Sequence, residues 1–128
     1  MSEELKELLF TFEGRINRAK WWGFFVAAWL VNFVLYGVVY LLSTGDSPTL
    51  FVLSVIVATL VAVALWLSGI FVTIKRWHDR GKPGWWIFIV LVPIIGGIWA
   101  LVELGFLTGD PVDNRWGPNP LDPAAARR

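Results

Sequence analysis

Charged residues divide this chain into long apolar windows. None lies between Lys20 and Asp46, none between Asp46 and Lys75, and none from Pro83 to Val102, ahead of Glu103. A helix needs about 20 apolar residues to cross roughly 30 Å of hydrocarbon, and residues 22–42, 50–74 and 85–107 each supply that length. In lipid these windows have to be helices, because a lone strand leaves its backbone N–H and C=O groups unpaired. The pattern predicts an all-α integral membrane protein with three transmembrane helices.

Shorter patterns flank the windows. Leu5, Leu8, Leu9 and Phe12 recur at helical spacing among Glu3, Glu4, Lys6 and Glu7, which predicts a short N-terminal amphipathic helix within an interfacial segment, residues 1–20. Gly14 ends it. The acidic flank, the long apolar run and the two later windows mark residues 22–42 as a retained helix and not a cleaved leader. Residues 108–128 are rich in Pro, Gly, Asn and Asp and read as a turn-rich tail. No internal repeat or second domain appears, so 1–128 is one membrane domain.

The third window carries Pro93, Gly96 and Gly97 near its middle, where proline removes an N–H and favours a kink. A hairpin, "WWIFIVLV" in and "GIWALVELG" back, would return the tail to the side it came from. A single crossing is the expectation, since irregular backbone at membrane depth needs protein or water around it.

Composition strengthens the membrane reading: 56% of the 128 residues are hydrophobic, nine are Trp and only 16% are charged. The absence of cysteine removes thiolate chemistry and disulfides. The net charge of +1 hides a segmental bias. Lys6, Arg15, Arg18 and Lys20 precede the first window, and Lys75, Arg76, Arg80 and Lys82 lie between the second and third. Only Arg115, Arg127 and Arg128 follow the third. Basic residues stay cytoplasmic, so the N-terminus is expected inside and the C-terminus outside. Trp21, Trp22, Trp77, Trp85 and Trp86 then fall at the inner interface, as belt anchors do. Gly23/Ala27, Ala58/Ala62, Gly69/Thr73 and Gly96/Ala100 are small-xxx-small pairs that allow close helix packing or a homo-oligomer.

Four ordered motifs, "FEGRINRAKWW", "RWHDRGKPGWW", "VPIIGGIWALVEL" and "DNRWGPNP", resemble the bacterial inner-membrane family catalogued as domain of unknown function 805, the YhaH/YhaI-like proteins. The resemblance covers nearly the whole chain. It matches Phe12, Gly14, Arg15, Asn17, Arg18 and Trp22 in the first motif. In the others it matches Arg76, His78, Asp79, Gly81, Gly84, Trp85, Pro93, Gly96, Asn114, Gly117 and Pro120. This chain departs with Lys75 for arginine, Trp77 for leucine, Pro83 for serine and Trp116 for tyrosine. The resemblance implies a three-span, multi-pass inner-membrane protein and brings no assigned activity.

The polar residues therefore have to speak for themselves. His78 is the only histidine, and neither a nucleophile, a metal-ligand set nor a nucleotide-binding loop accompanies it. No enzyme activity, metal, cofactor or nucleic-acid partner is expected. Asp79 can pair with Arg15 or Arg18, and His78 can donate to a carbonyl, clamping the start of the first span to the turn before the third. Asn17, Arg80, Gly81, Lys82 and Gly84 complete this clamp, and its cations suit an anionic lipid headgroup or another phosphate. The expected function is a non-enzymatic membrane module that binds anionic lipid or a partner protein through the clamp. The alternative is a small channel or transport component using Glu103, the one charge inside a window, with Asn32.

Overall fold

The computed structural model describes residues 1–122 and 124. Arg127 and Arg128, expected on the far side with the tail, lie outside the described residues. Helix α1 (Glu3–Phe10) starts at Ser2, whose Oγ accepts from the Leu5 N–H at 3.2 Å. It lays Leu8 and Leu9 against a small core of Ile16, Phe24 and Val72. Helix α2 (Arg18–Ser43) is capped by the Asn17 side chain, which accepts from the Lys20 N–H. Helix α3 (Pro48–Asp79) begins with Ser47 as cap and Pro48 in its first turn, where a missing N–H costs nothing.

These two helices run antiparallel. Trp21 Nε1 donates to Thr73 Oγ1 at 3.3 Å, and Gly69 lets the rings of Phe24 and Phe25 lie directly on α3. Both are long and apolar enough to cross a membrane. Their outward faces keep large apolar side chains in the open, with Trp29 64%, Phe33 66% and Trp66 67% exposed. At about 1.5 Å per residue, α3 is roughly 48 Å long, well beyond the ~30 Å of a bilayer core. Its charged last turn, Lys75–Asp79, thus extends past the apolar stretch.

The end of α3 is set by "DRGK". Gly81 has φ +75, its N–H bonds the His78 carbonyl, and the Lys82 N–H bonds the Trp77 carbonyl. This pair of bonds is a Schellman closure, and Pro83 then prevents the helix from resuming.

The expected third long helix over 85–107 is not one helix. Gly84–Leu91 is a 3-10 helix, and after a sharp turn the chain returns as α4 (Ile95–Ala100), which continues into a wider π turn over Leu101–Phe106. Facing pairs step in opposite directions along the two arms: Lys82 with Glu103, Trp86 with Trp99, Ile89 with Gly96. Pro93 causes the turn, since it holds Val92 extended at ψ 113. Ile94 then takes φ 66 and ψ −61, with the Ile95 N–H on the Pro93 carbonyl at 2.7 Å, a tight γ-turn. Gly96 makes the close return possible. A Cβ there would lie 1.7 Å from the Ile89 carbonyl oxygen.

The hairpin brings residues 104–117 back to the charged end of α3, so the tail and the N-terminal segment share one end of the molecule. The two segments expected on opposite sides thus lie together at one end of the structure. The turn also changes Trp77: it is fully buried with Ala100 and Leu104 beneath the returning arm, and is a core residue instead of a belt anchor. Trp85, 63% exposed, remains on the surface.

Candidate functional site

At this end lies a buried network of charges. The N-terminal segment, turned by Gly14 at φ +90, delivers Arg15, while the last turn of α3 delivers Arg76 and Asp79 one turn apart. Arg15 Nη2 lies 3.0 Å from Asp79 Oδ1, and Arg76 Nη1 pairs with Asp79 Oδ2. All three side chains are essentially inaccessible. Ion pairs removed from water persist only when their remaining donors and acceptors are also satisfied.

That condition is met atom by atom. The five N–H groups of Arg15 go to Asp79 Oδ1, from Nε and Nη2, and to the carbonyls of Asp110, Val112 and Gly117. Arg76 donates from Nε to Leu104 O at 2.7 Å and from Nη2 to Leu107 O at 2.6 Å. Trp22 Nε1 donates to Gly105 O, Arg18 to Phe106 O and Arg80 to Thr108 O. Five successive carbonyls, 104 to 108, are thereby taken by side-chain donors. These are the carbonyls that a helix end leaves without partners and that carry its negative dipole. The arginines of the clamp are thus first of all caps on the returning arm.

The remaining residues lock the same joint. Lys75 bonds the carbonyls of Glu7 and Leu8, tying α1 down, and its burial lowers the ammonium to about pKa 8. Burial also raises the Asp79 carboxyl, with the guanidinium of Arg76 and that of Arg15 pulling against it. His78 Nδ1 meets the Gly14 carbonyl at 3.0 Å, and since a carbonyl only accepts, that nitrogen carries the proton. Its ring stacks on Trp116 at 4.7 Å, and burial holds its pKa below the ordinary value. Asn114 Nδ2 donates to His78 O, and Asn114 and Gly117 close a two-bond turn around Arg115 and Trp116.

Not every expected residue joins. Asn17 caps α2, Gly81 closes α3, and Gly84 opens the 3-10 helix, so these three shape the joint without pairing in it. Pro120 is exposed. Arg80 and Lys82 turn to Glu103, whose Oε2 also accepts from Trp99 Nε1 at 2.6 Å. Glu103 therefore sits at the charged end of the molecule. Asn32 donates to Ala28 O of its own helix. Among the described residues no hydrogen bond joins Asn32 to Glu103.

Two participants were not legible as such. The Asp110 N–H bonds Asp79 O, and Gly109 passes so close to Asp79 that a Cβ would lie 2.0 Å from its Oδ2. "TGDP" looked like an ordinary turn; only the hairpin brings it to Asp79.

These features define a class: a small all-helical protein in which two long apolar helices and a helical hairpin are joined at one end by buried arginine caps. The chain belongs to the DUF805 family, described as "Protein of unknown function (DUF805)", whose model matches residues 9–118. It is 30% identical to "Uncharacterized protein YiiR" of Escherichia coli (strain K12) over 92% of this chain and 91% of that protein. It is also 30% identical to "Inner membrane protein YhaI" of the same strain, over 85% of each chain. No solved structure matches.

Proposed function

We propose that this is a multi-pass integral protein of the bacterial inner membrane without enzymatic activity, in which α2 and α3 span the bilayer and the hairpin enters and leaves from the cytoplasmic side. Both the N-terminal segment and the tail are then cytoplasmic, and the clamp is the joint that holds the hairpin in place. One observation carries this reading: the carbonyls of residues 104–108 are all capped by side chains from the other segments. Without such caps the returning arm could not end near hydrocarbon. The kinship with an inner membrane protein, the nine basic residues that the described chain gathers at this end and the open apolar faces of α2 and α3 support it.

The clamp's binding role moves to its rim. Arg15 has all five N–H groups engaged and Arg76 is fully buried, whereas the part-exposed ammonium groups of Lys20, paired with Glu4, and Lys82, paired with Glu103, keep protons for an outside anion. Each such cation adds about 1 kcal/mol of attraction to an anionic bilayer. Native mass spectrometry from nanodiscs of mixed phosphatidylglycerol and phosphatidylcholine tests the rim. Preferential retention of phosphatidylglycerol, lost in a Lys20→Gln/Lys82→Gln variant, is the expected result; equal retention of both lipids counts against it.

A further inference from the structure

Beside the clamp, a cleft of about 550 Å³ opens between the N-terminal segment, the end of α3 and the tail, lined by Phe12, Glu13, His78, Gly84, Arg115 and Trp116. Its polar groups differ from those of the clamp in being unused. His78 is 6% exposed, and its Nδ1 is held by Gly14, yet Nε2 has no hydrogen-bond partner among the described residues. That nitrogen faces the cleft: a Cβ on Gly84, in the cleft wall, would lie 3.6 Å from it. Since Nδ1 carries the proton, the neutral ring presents Nε2 as a lone-pair acceptor. Glu13, also in the lining, makes no hydrogen bond or ion pair among the described residues, and neither does Arg115, which lies over Trp116 at 4.1 Å. By contrast, Arg15, Arg18, Arg76 and Arg80 are all engaged.

The cleft thus offers two acceptors, a carboxylate and an imidazole nitrogen, together with one guanidinium. Two acceptors suit a primary ammonium with its three N–H donors, and a free guanidinium suits phosphate oxygens. A quaternary ammonium fits poorly. It has no N–H to give Nε2, and the Trp116 ring that might cage it is already engaged by His78 and Arg115. Phe12 and Ile74 place the opening where the apolar surface of α3 ends. That is the depth of a headgroup if α3 spans the bilayer. We infer that this cleft binds a phosphoethanolamine group, its ammonium between Glu13 and His78 Nε2 and its phosphate on Arg115.

Because His78 is the only histidine, its imidazole gives one nitrogen-15 NMR signal pair that reports on Nε2 directly. The full-length protein is titrated with glycerophosphoethanolamine in detergent, and separately placed in nanodiscs containing phosphatidylethanolamine. Phosphocholine counterparts and phosphatidylglycerol serve as comparisons. A shift of the Nε2 signal in either ethanolamine arm is expected, and which arm responds distinguishes a free ligand from a lipid. Glu13→Gln and Arg115→Gln, both at exposed positions, should each weaken the response by about tenfold. No shift with either ethanolamine probe, an equal shift with choline or glycerol headgroups, or full affinity in both variants overturns the inference. The rim substitutions Lys20→Gln and Lys82→Gln should leave this response intact, so failure of the anionic-rim reading is separable from failure here.

Discussion

Arg15 shows why an arginine, and not simply a positive charge, is needed where the N-terminal segment meets α3. Its fork reaches one carboxylate oxygen and three carbonyls on three sides, a geometry that an ammonium on a flexible stem does not reproduce. Arg15→Lys should therefore lose nearly as much stability as Arg15→Ala, about 3 kcal/mol or more, because either leaves Asp79 short of a partner in a buried site. Reversible unfolding in mixed micelles measures this; a lysine variant close to the parent would show that charge alone suffices. Asp79→Asn should cost a similar amount by leaving two buried guanidiniums facing a neutral amide. His78 allows a second test. Its pKa is lowered from 6.5 by burial, so as pH falls the unfolded chain takes up the proton before the folded one does. The contribution to stability is then complete above about pH 6.5 and declines as pH drops toward the lowered folded value. The NMR titration midpoint of the imidazole should lie below 6.5; a midpoint at or above it contradicts the buried, neutral ring.

The hairpin is the element in which sequence and structure part company. Gly96 and Gly97 are adjacent and look alike in sequence, yet an added Cβ at Gly96 strikes the Ile89 backbone, while at Gly97 it meets nothing within 4 Å. Gly96→Ala should prevent the two arms from closing and unfold the charged end. Gly97→Ala should be neutral, or stabilising by up to about 1 kcal/mol through helix propensity. Comparable stability of both variants would contradict the hairpin. Windows of charge-free sequence revealed α2 and α3, because length and hydropathy are local properties of a chain. They did not reveal that 85–107 folds in two, since a largely apolar window of 23 residues satisfies a span and a hairpin equally well. Pro93 and the glycines marked the spot, but the deciding interactions, the caps on residues 104–108, join positions 28 to 88 residues apart. The Arg15–Asp79 and His78–Gly14 contacts were easier to anticipate from chemistry. That Arg76 serves two carbonyls of the returning arm was hidden by the same long-range closure.

For the whole molecule, the lengths of the two arms decide topology. The 3-10 arm of eight residues rises about 16 Å, and the twelve-residue return about 18 Å. Each is roughly half the thickness of a bilayer core, so the arms match one another and neither can cross. If α2 and α3 span the bilayer as proposed, the tip, with Ile94 81% exposed, rests in hydrocarbon, its broken backbone flanked by α3 and the second arm. Such an arrangement would put the N-terminal segment and the described tail on one side. Single cysteines placed at Ser2, at Asn119 and at Gly45 in the turn between α2 and α3, in a chain that has no cysteine of its own, test this in intact cells. Membrane-impermeant maleimide should label only the Gly45 position, with Ser2 and Asn119 reacting together once the cytoplasmic face is opened. Labelling of Asn119 in intact cells would mean that residues 85–107 cross the membrane after all. The tail could not then reach Arg15 or His78, and the arginine caps, the joint and the His78 cleft would all fall with it.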